Sequence, residues 1–139
     1  MSASPCLARV RALEDEGIIL RRVTLLDPMK VGANVSVFIQ VTLERQTESQ
    51  LEIFEAAVAK FPEVMECYLM TGDADYLLRV VVADLVALQK FIVEKLSTTR
   101  GVANIRSSFA LKQVKYKTAF PLTDLLAKGG EKPMRKRRR

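Results

Sequence analysis

Histidine is absent from the 139 residues, and cysteine occurs only twice, at Cys6 and Cys67. Without an imidazole, every triad built on histidine is excluded. Two cysteines cannot supply the four ligands of a Cys/His zinc centre within one chain. No glycine-rich phosphate loop of the G-x-G-x-x-G or Walker type is present. No apolar run approaches the ~20 residues needed to span a bilayer, so a membrane is not expected as a partner. No stretch reads as a signal peptide, and two distant cysteines without motif spacing suit a reducing cytoplasm. Carboxylates remain, but no nucleophile–base pair assembles around them. The expectation is a protein without catalytic residues, metal or cofactor.

What is abundant is charge, and it is unevenly spread. Lysine and arginine number 22 against 16 acidic residues, a net charge of +6. Residues 123–139 hold seven basic and two acidic groups, so that segment supplies +5 and residues 1–122 only +1. The body of the chain is nearly neutral and is weak support for nucleic-acid binding by a folded surface. The basic run Lys132-Pro133-Met134-Arg135-Lys136-Arg137-Arg138-Arg139 follows Gly129-Gly130 and predicts a disordered tail over 123–139. Such a tail can give salt-sensitive, sequence-blind affinity for DNA phosphates. It can equally be a solvated terminus or an electrostatic patch for a membrane surface.

Apolar spacing organises the rest. Ser2 to Ile19 reads as a helix, with Ser4 as its cap and Pro5 in its first turn. Leu7, Val10 and Leu13 mark an inward face, and Gly17 is placed to end the helix before Ile18 and Ile19 return to a core. Arg9 and Arg11 lie off that stripe, where a recognition helix carries its DNA contacts; Arg11 can instead pair with Asp15. Arg21 to Leu26 reads as a short linking strand closed by Asp27-Pro28.

Asn34 to Leu43 alternates strongly, with Val35, Val37, Ile39, Val41 and Leu43 on one face. A helix from about Thr47 to Lys60 follows, buried through Leu51, Phe54, Ala57, Val58 and Phe61. Val64–Met70 and Tyr76–Val82 are strands of a hairpin around Thr71-Gly72-Asp73-Ala74-Asp75. Asp84 caps a second helix, Leu85 to about Leu96, and Val102 to Val114 is the last strand. Strand, helix, strand, strand, helix, strand is the α+β, ferredoxin-like β-α-β-β-α-β arrangement. Both helices then cover one sheet face. The Tyr76–Val82 strand is apolar on both sides, so the open face is expected to be covered by a second copy.

The hairpin turn carries the densest chemistry. Asp73 and Asp75 can accept from an ammonium group, and turn amides can hold a carboxylate, together the two ends of an α-amino acid. Gly-Asp is also simply good turn chemistry. On the site reading, replacing Asp75 is expected to spare the fold, because the turn needs Gly72 more than this carboxylate. Cys67 reads as a small buried filler.

Two patterns together carry a resemblance. Pro5, Cys6, Arg9, Val10, Leu13, Glu14, Gly17, Ile18 and Ile19, and then Gly72, Asp73, Asp75 and Tyr76, resemble the Lrp/AsnC transcriptional regulators over roughly residues 1–122. The resemblance implies residues 1–19 as the remnant of a helix-turn-helix domain, 20–33 as linker strand and turn, and 34–122 as the effector and assembly domain. It implies an amino-acid effector such as leucine or methionine beside Met70, Thr71, Gly72, Asp73, Asp75 and Tyr76, bound between dimers. The last strand around Arg106, Ser107, Ser108 and Phe109 would form a facing wall, with Ser108 its candidate contact. A homodimer assembling further, often to an octamer, is implied, with DNA contacted through Ser4, Arg9 and Arg11. The family's first two DNA-domain helices have no counterpart here, and Met1 stands where members often carry leucine. An upstream in-frame segment is therefore expected, and DNA contact is expected to be compromised. The rivals are a stand-alone amino-acid-binding module that co-assembles with full-length regulators, and a small enzyme on the same frame.

Overall fold

Alternation in the central strands sets the architecture. A computed structural model describes residues 3–130, which divide into two units meeting between Phe109 and Ala110. In the first unit, strands β1 (Val35–Leu43), β2 (Val64–Leu69), β3 (Tyr76–Val82) and β4 (Val102–Phe109) form one antiparallel sheet in the order β2-β3-β1-β4. Helix α2 (Glu48–Val58) and helix α3 (Leu85–Lys90), continued by a π-helical turn over Phe91–Leu96, supply one covered face. This is the α+β, ferredoxin-like arrangement.

The core is the inward set of two strands and the helices above them. Val37, Ile39, Val41 and Leu43 of β1 and Tyr76, Leu78, Val80 and Val82 of β3 are buried with Phe54, Val58, Leu88, Phe91 and Leu96. Each such side chain gains about 1.5–3 kcal/mol on leaving water. Register locks the arrangement, because a slip by one residue would turn all of them outward. Asp84 caps the second helix as expected, its Oδ1 accepting from Ala87 N at 2.8 Å, and the Thr47 hydroxyl caps the first by accepting from Gln50 N at 3.4 Å. Asp27 likewise accepts from Met29 N, starting a short 3-10 turn over Pro28–Val31.

The open sheet face is mixed. Register places Phe38, Gln40, Leu77, Arg79, Val81, Arg106 and Ser108 there, so apolar and polar residues share it. On the same face Glu66 accepts from Arg79 Nε at 2.7 Å and from the Tyr68 hydroxyl at 2.8 Å. The Arg79 hydrogen bond, then that of Tyr68, holds the Glu66 carboxyl below the ordinary carboxylate range, and the same contact raises the Tyr68 phenol.

Several expectations need correction. Residues 20–27 form no strand: an extended segment needs a ladder partner, and this one pairs with none of the described strands. The last strand stops at Phe109, not Val114: Phe109 already pairs with Val37, and β1 has only two residues left to pair. Leu85 is exposed, and the second helix widens at Phe91, where Ser97 N donates to Ile92 O at 2.8 Å in an i→i−5 bond.

Helix α1 (Ala3–Asp15) does end at Gly17 (φ +77°), where Ile18 N and Gly17 N bond back to Leu13 O and Glu14 O. Among the described residues it runs from Ala3, so Ser4 lies within the helix and is not its cap. Ile18 is exposed, as are Leu7 and Leu13, so no core receives them. Glu14 pairs with Arg22, and no Arg11–Asp15 pair forms.

The second unit contains helix α4 (Leu122–Gly130) where a disordered tail was expected. Leu122, Leu125 and Leu126 recur at helical spacing ahead of the glycines, and that periodicity outweighs the charge that follows. The run Lys132–Arg139 lies outside the described residues.

Candidate functional site

The turn between β2 and β3 is built by two backbone bonds and one carboxylate. Met70 N donates to Asp75 O at 2.8 Å, and Asp75 N donates to Val41 O at 3.0 Å, which closes the loop and ties it to β1. Gly72 sits at φ +111° with open space around its Cα, so glycine is required there by conformation and not by crowding.

The two aspartates have separate roles. Asp75 Oδ2 accepts from Leu43 N at 2.7 Å and from Gln46 Nε2 at 3.1 Å. Leu43 is where the β1–β4 register shifts, and the carboxylate takes the place of a ladder carbonyl for its amide. Asp75 is thus a structural staple, and its loss is expected to cost stability while the fold is retained. Asp73 is exposed, and among the described residues it has no hydrogen bond or ion pair. The amides of residues 71–74 likewise find no acceptor among the described residues. Met70 and Thr71 are exposed beside them.

Tyr76 faces the other way. Its ring is buried against Phe54 at a centroid distance of 4.5 Å, and its hydroxyl donates to Glu55 Oε2 at 2.6 Å. Burial, then the Glu55 hydrogen bond, pushes its phenol far above the ordinary value. Tyr76 therefore supports the turn from inside the core and presents nothing to a ligand. Cys67 is exposed, not a buried filler; partial burial of its sulfur and the Glu55 carboxylate push the thiol up to about 11.

Ser108 is not brought to the turn within one chain. It pairs with Phe38, whereas Tyr76 pairs with Val41, three residues further along β1. Three residues of strand are about 10 Å. The β4 residues level with the turn are Asn104 and Ile105. Glu44 N donates to Gly101 O at 2.8 Å, so the segments around Gln46 and Gly101 meet at the same sheet end as the turn. Sequence reasoning missed Gln46, whose link to Asp75 spans 29 positions and leaves no local signal.

Two other regions complete the picture. On α1, Ser4, Arg9 and Arg11 are all exposed, but Arg9 and Arg11 flank the Leu7–Val10–Leu13 stripe on opposite sides at ~100° per residue. A groove of about 450 Å³ lies between the end of β3 and the second helix, lined by Val81, Ala83, Ala87, Lys90 and Glu94 among others. It contains none of the candidate site residues. Beside it Lys95 is held by Glu63 through both carboxylate oxygens, at 2.7 and 2.9 Å. Among the described residues no group of three or more His, Cys, Asp or Glu side chains is placed to hold a metal ion.

The described residues thus form a half-covered α+β sheet with one stapled turn whose amides find no acceptor among them. The family model of the Lrp/AsnC ligand binding domain matches residues 36–120, and the chain belongs to the Lrp/AsnC family. It is 48% identical over 122 residues to the Bkd operon transcriptional regulator of Pseudomonas aeruginosa, covering 88% of this chain and 80% of that one. It is 40% identical over 115 residues to the leucine-responsive regulatory protein of Escherichia coli K12, covering 83% and 70%. Among solved structures, a transcriptional regulator of Neisseria meningitidis in complex with L-Met superposes with a TM-score of 0.83 at 40% identity, covering 90% and 80%.

Proposed function

We propose that this chain is an amino-acid-responsive, DNA-binding transcriptional regulator, not an enzyme, whose effector sits on the turn at residues 70–75. The observation that carries the reading is the division of labour between the aspartates. Asp75 fixes the loop, and Asp73 and the amides of residues 71–74 are left to receive an ammonium and a carboxylate. Similarity to the Neisseria regulator that holds L-Met, and to the leucine-responsive regulators, favours an α-amino acid with an apolar side chain. Met70 and Thr71 complete the near wall. The turn is exposed in one chain, so a second copy supplies the far wall, and Ser108 contributes only from that copy. Phe38, Leu77 and Val81 on the open sheet face suit pairing of two copies, with further assembly toward an octamer. DNA contact is assigned to α1 through Ser4, Arg9 and Arg11.

Thermal shift with a panel of amino acids tests this. L-methionine or L-leucine is expected to raise the melting temperature of the parent and not of Asp73→Ala. A panel in which no amino acid stabilises the parent removes the sensor reading.

A further inference from the structure

Gln46 lies between β1 and α2, at the sheet end that carries the turn, and its side chain closes a ring of hydrogen bonds. Its Nε2 donates to Leu43 O at 3.0 Å and to Asp75 Oδ2 at 3.1 Å, and that same carboxylate oxygen accepts from Leu43 N at 2.7 Å. Both hydrogens of Nε2 are therefore spent. The amide does not turn over, because a flip would set its oxygen against a carbonyl and a carboxylate. The backbone on either side is fixed as well. Glu44 N donates to Gly101 O at 2.8 Å, and the Thr47 hydroxyl caps α2 by accepting from Gln50 N.

What remains is Oε1, which has no hydrogen-bond partner among the described residues. An amide whose donors are committed can only accept, so the group that suits it carries N–H bonds and, for the strongest contact, a positive charge. An α-ammonium group has three N–H bonds to satisfy. The Asp73 carboxylate does not meet all of them once a bound ligand has shed its water, and an unmet N–H on a buried cation is costly.

We infer that Gln46 is a specificity-determining residue of the amino-acid site, its locked Oε1 accepting from the α-ammonium group alongside Asp73. The inference rests on the reading of the turn as the effector site, and it adds to that site a contact from the β1–α2 corner of the same chain. Gln46 reads the amine and not the side chain of the ligand. It separates an amino acid from the same molecule without its nitrogen.

Isothermal titration of the full chain tests it, with L-leucine and L-methionine against isocaproate and γ-methylthiobutyrate, the same molecules without the amine, followed by displacement. Gln46→Met keeps the length of the side chain and removes the amide; Gln46→Ala removes both. A single cooperative thermal transition of each variant confirms that the sheet domain is intact. Each variant is expected to lose roughly tenfold or more in affinity for the amino acids, as for one hydrogen bond to a charged group, and less than about twofold for the amine-free acids. Equal losses for both kinds of ligand overturn the inference, because Gln46 then acts only through the loop that it braces. So does a variant that binds the amino acids as tightly as the parent. Failure of the parent to bind any amino acid removes the effector reading itself, and this inference with it.

Discussion

Replacing Asp75 with alanine tests the staple directly. The carboxylate accepts one bond from the amide of Leu43, a residue only 2% exposed, and one from Gln46, whose side chain is exposed. In Asp75→Ala, Gln46 exchanges its partner for water at little cost. The Leu43 amide cannot do so, and loss of a bond to a charged acceptor costs about 1.5–3 kcal/mol. Spread over a domain of this size, that lowers the melting temperature by roughly 6–24 °C, at about 4–8 °C per kcal/mol. Asp75→Asn retains an acceptor oxygen without the charge and is expected to lose about half as much. Urea unfolding followed by circular dichroism is the assay, with the midpoint falling and the slope unchanged. An Asp75→Ala protein within about 0.5 kcal/mol of the parent would refute the staple.

Asp73→Ala is the counterpart: stability without ligand stays within about 0.5 kcal/mol of the parent, because the side chain is exposed and unpartnered, while stabilisation by L-methionine or L-leucine disappears in differential scanning fluorimetry. Tyr76→Phe keeps the buried ring and loses the Glu55 bond, at about 1 kcal/mol. Because the folded phenol holds its proton more tightly than the unfolded one, that stabilisation is complete below pH ~10 and is lost as pH rises further. Parent and variant stabilities should therefore converge in alkaline urea titrations, and parallel curves would contradict the assignment. Glu66→Gln behaves oppositely in acid. The lowered Glu66 pKa gives stability that is present above pH ~4.3 and lost as pH falls through the folded value, so the two proteins converge at low pH. With Arg79 and Glu66 side chains 31% and 44% exposed, the neutral-pH difference is expected to be under about 1 kcal/mol.

The sheet was legible wherever a local pattern and the long-range pairing agree. β1 alternates, and from Val37 on the residues its alternation picks out are the buried ones; β3 is apolar on both sides, and its buried set follows from its pairing with β1. Asp84, Thr47 and Gly17 act at helix ends as their chemistry dictates. Legibility failed where the outcome depends on a partner's length or absence. Residues 110–114 carry strand-like residues, yet β1 has only two residues left to receive them, and residues 20–27 pair with none of the described strands. The π-turn at Phe91 leaves no local mark, since it sets which way Leu96 faces and not which residues are apolar.

At the candidate site, composition located the turn and could not divide its work. Gly72, Asp73 and Asp75 announce a turn with two carboxylates, and nothing in that pentapeptide tells the two apart. The distinction comes from Leu43, 32 positions away, whose amide faces Asp75 because β1 and β4 shift register there. The same register turns Tyr76 inward onto Phe54 and Glu55, making it a buttress. Three positions of chain thus separate a support, Tyr76, from a candidate contact, Asp73. A loop pinned at Asp75 and backed by Tyr76 holds its free amides in place before any ligand arrives, so less ordering is left for binding to supply. If so, Asp75→Asn should weaken amino-acid binding even where Asp73 is intact, and the loss should track its loss of stability. Full affinity in a clearly destabilised Asp75→Asn protein would separate loop order from recognition and leave Asp73 acting alone.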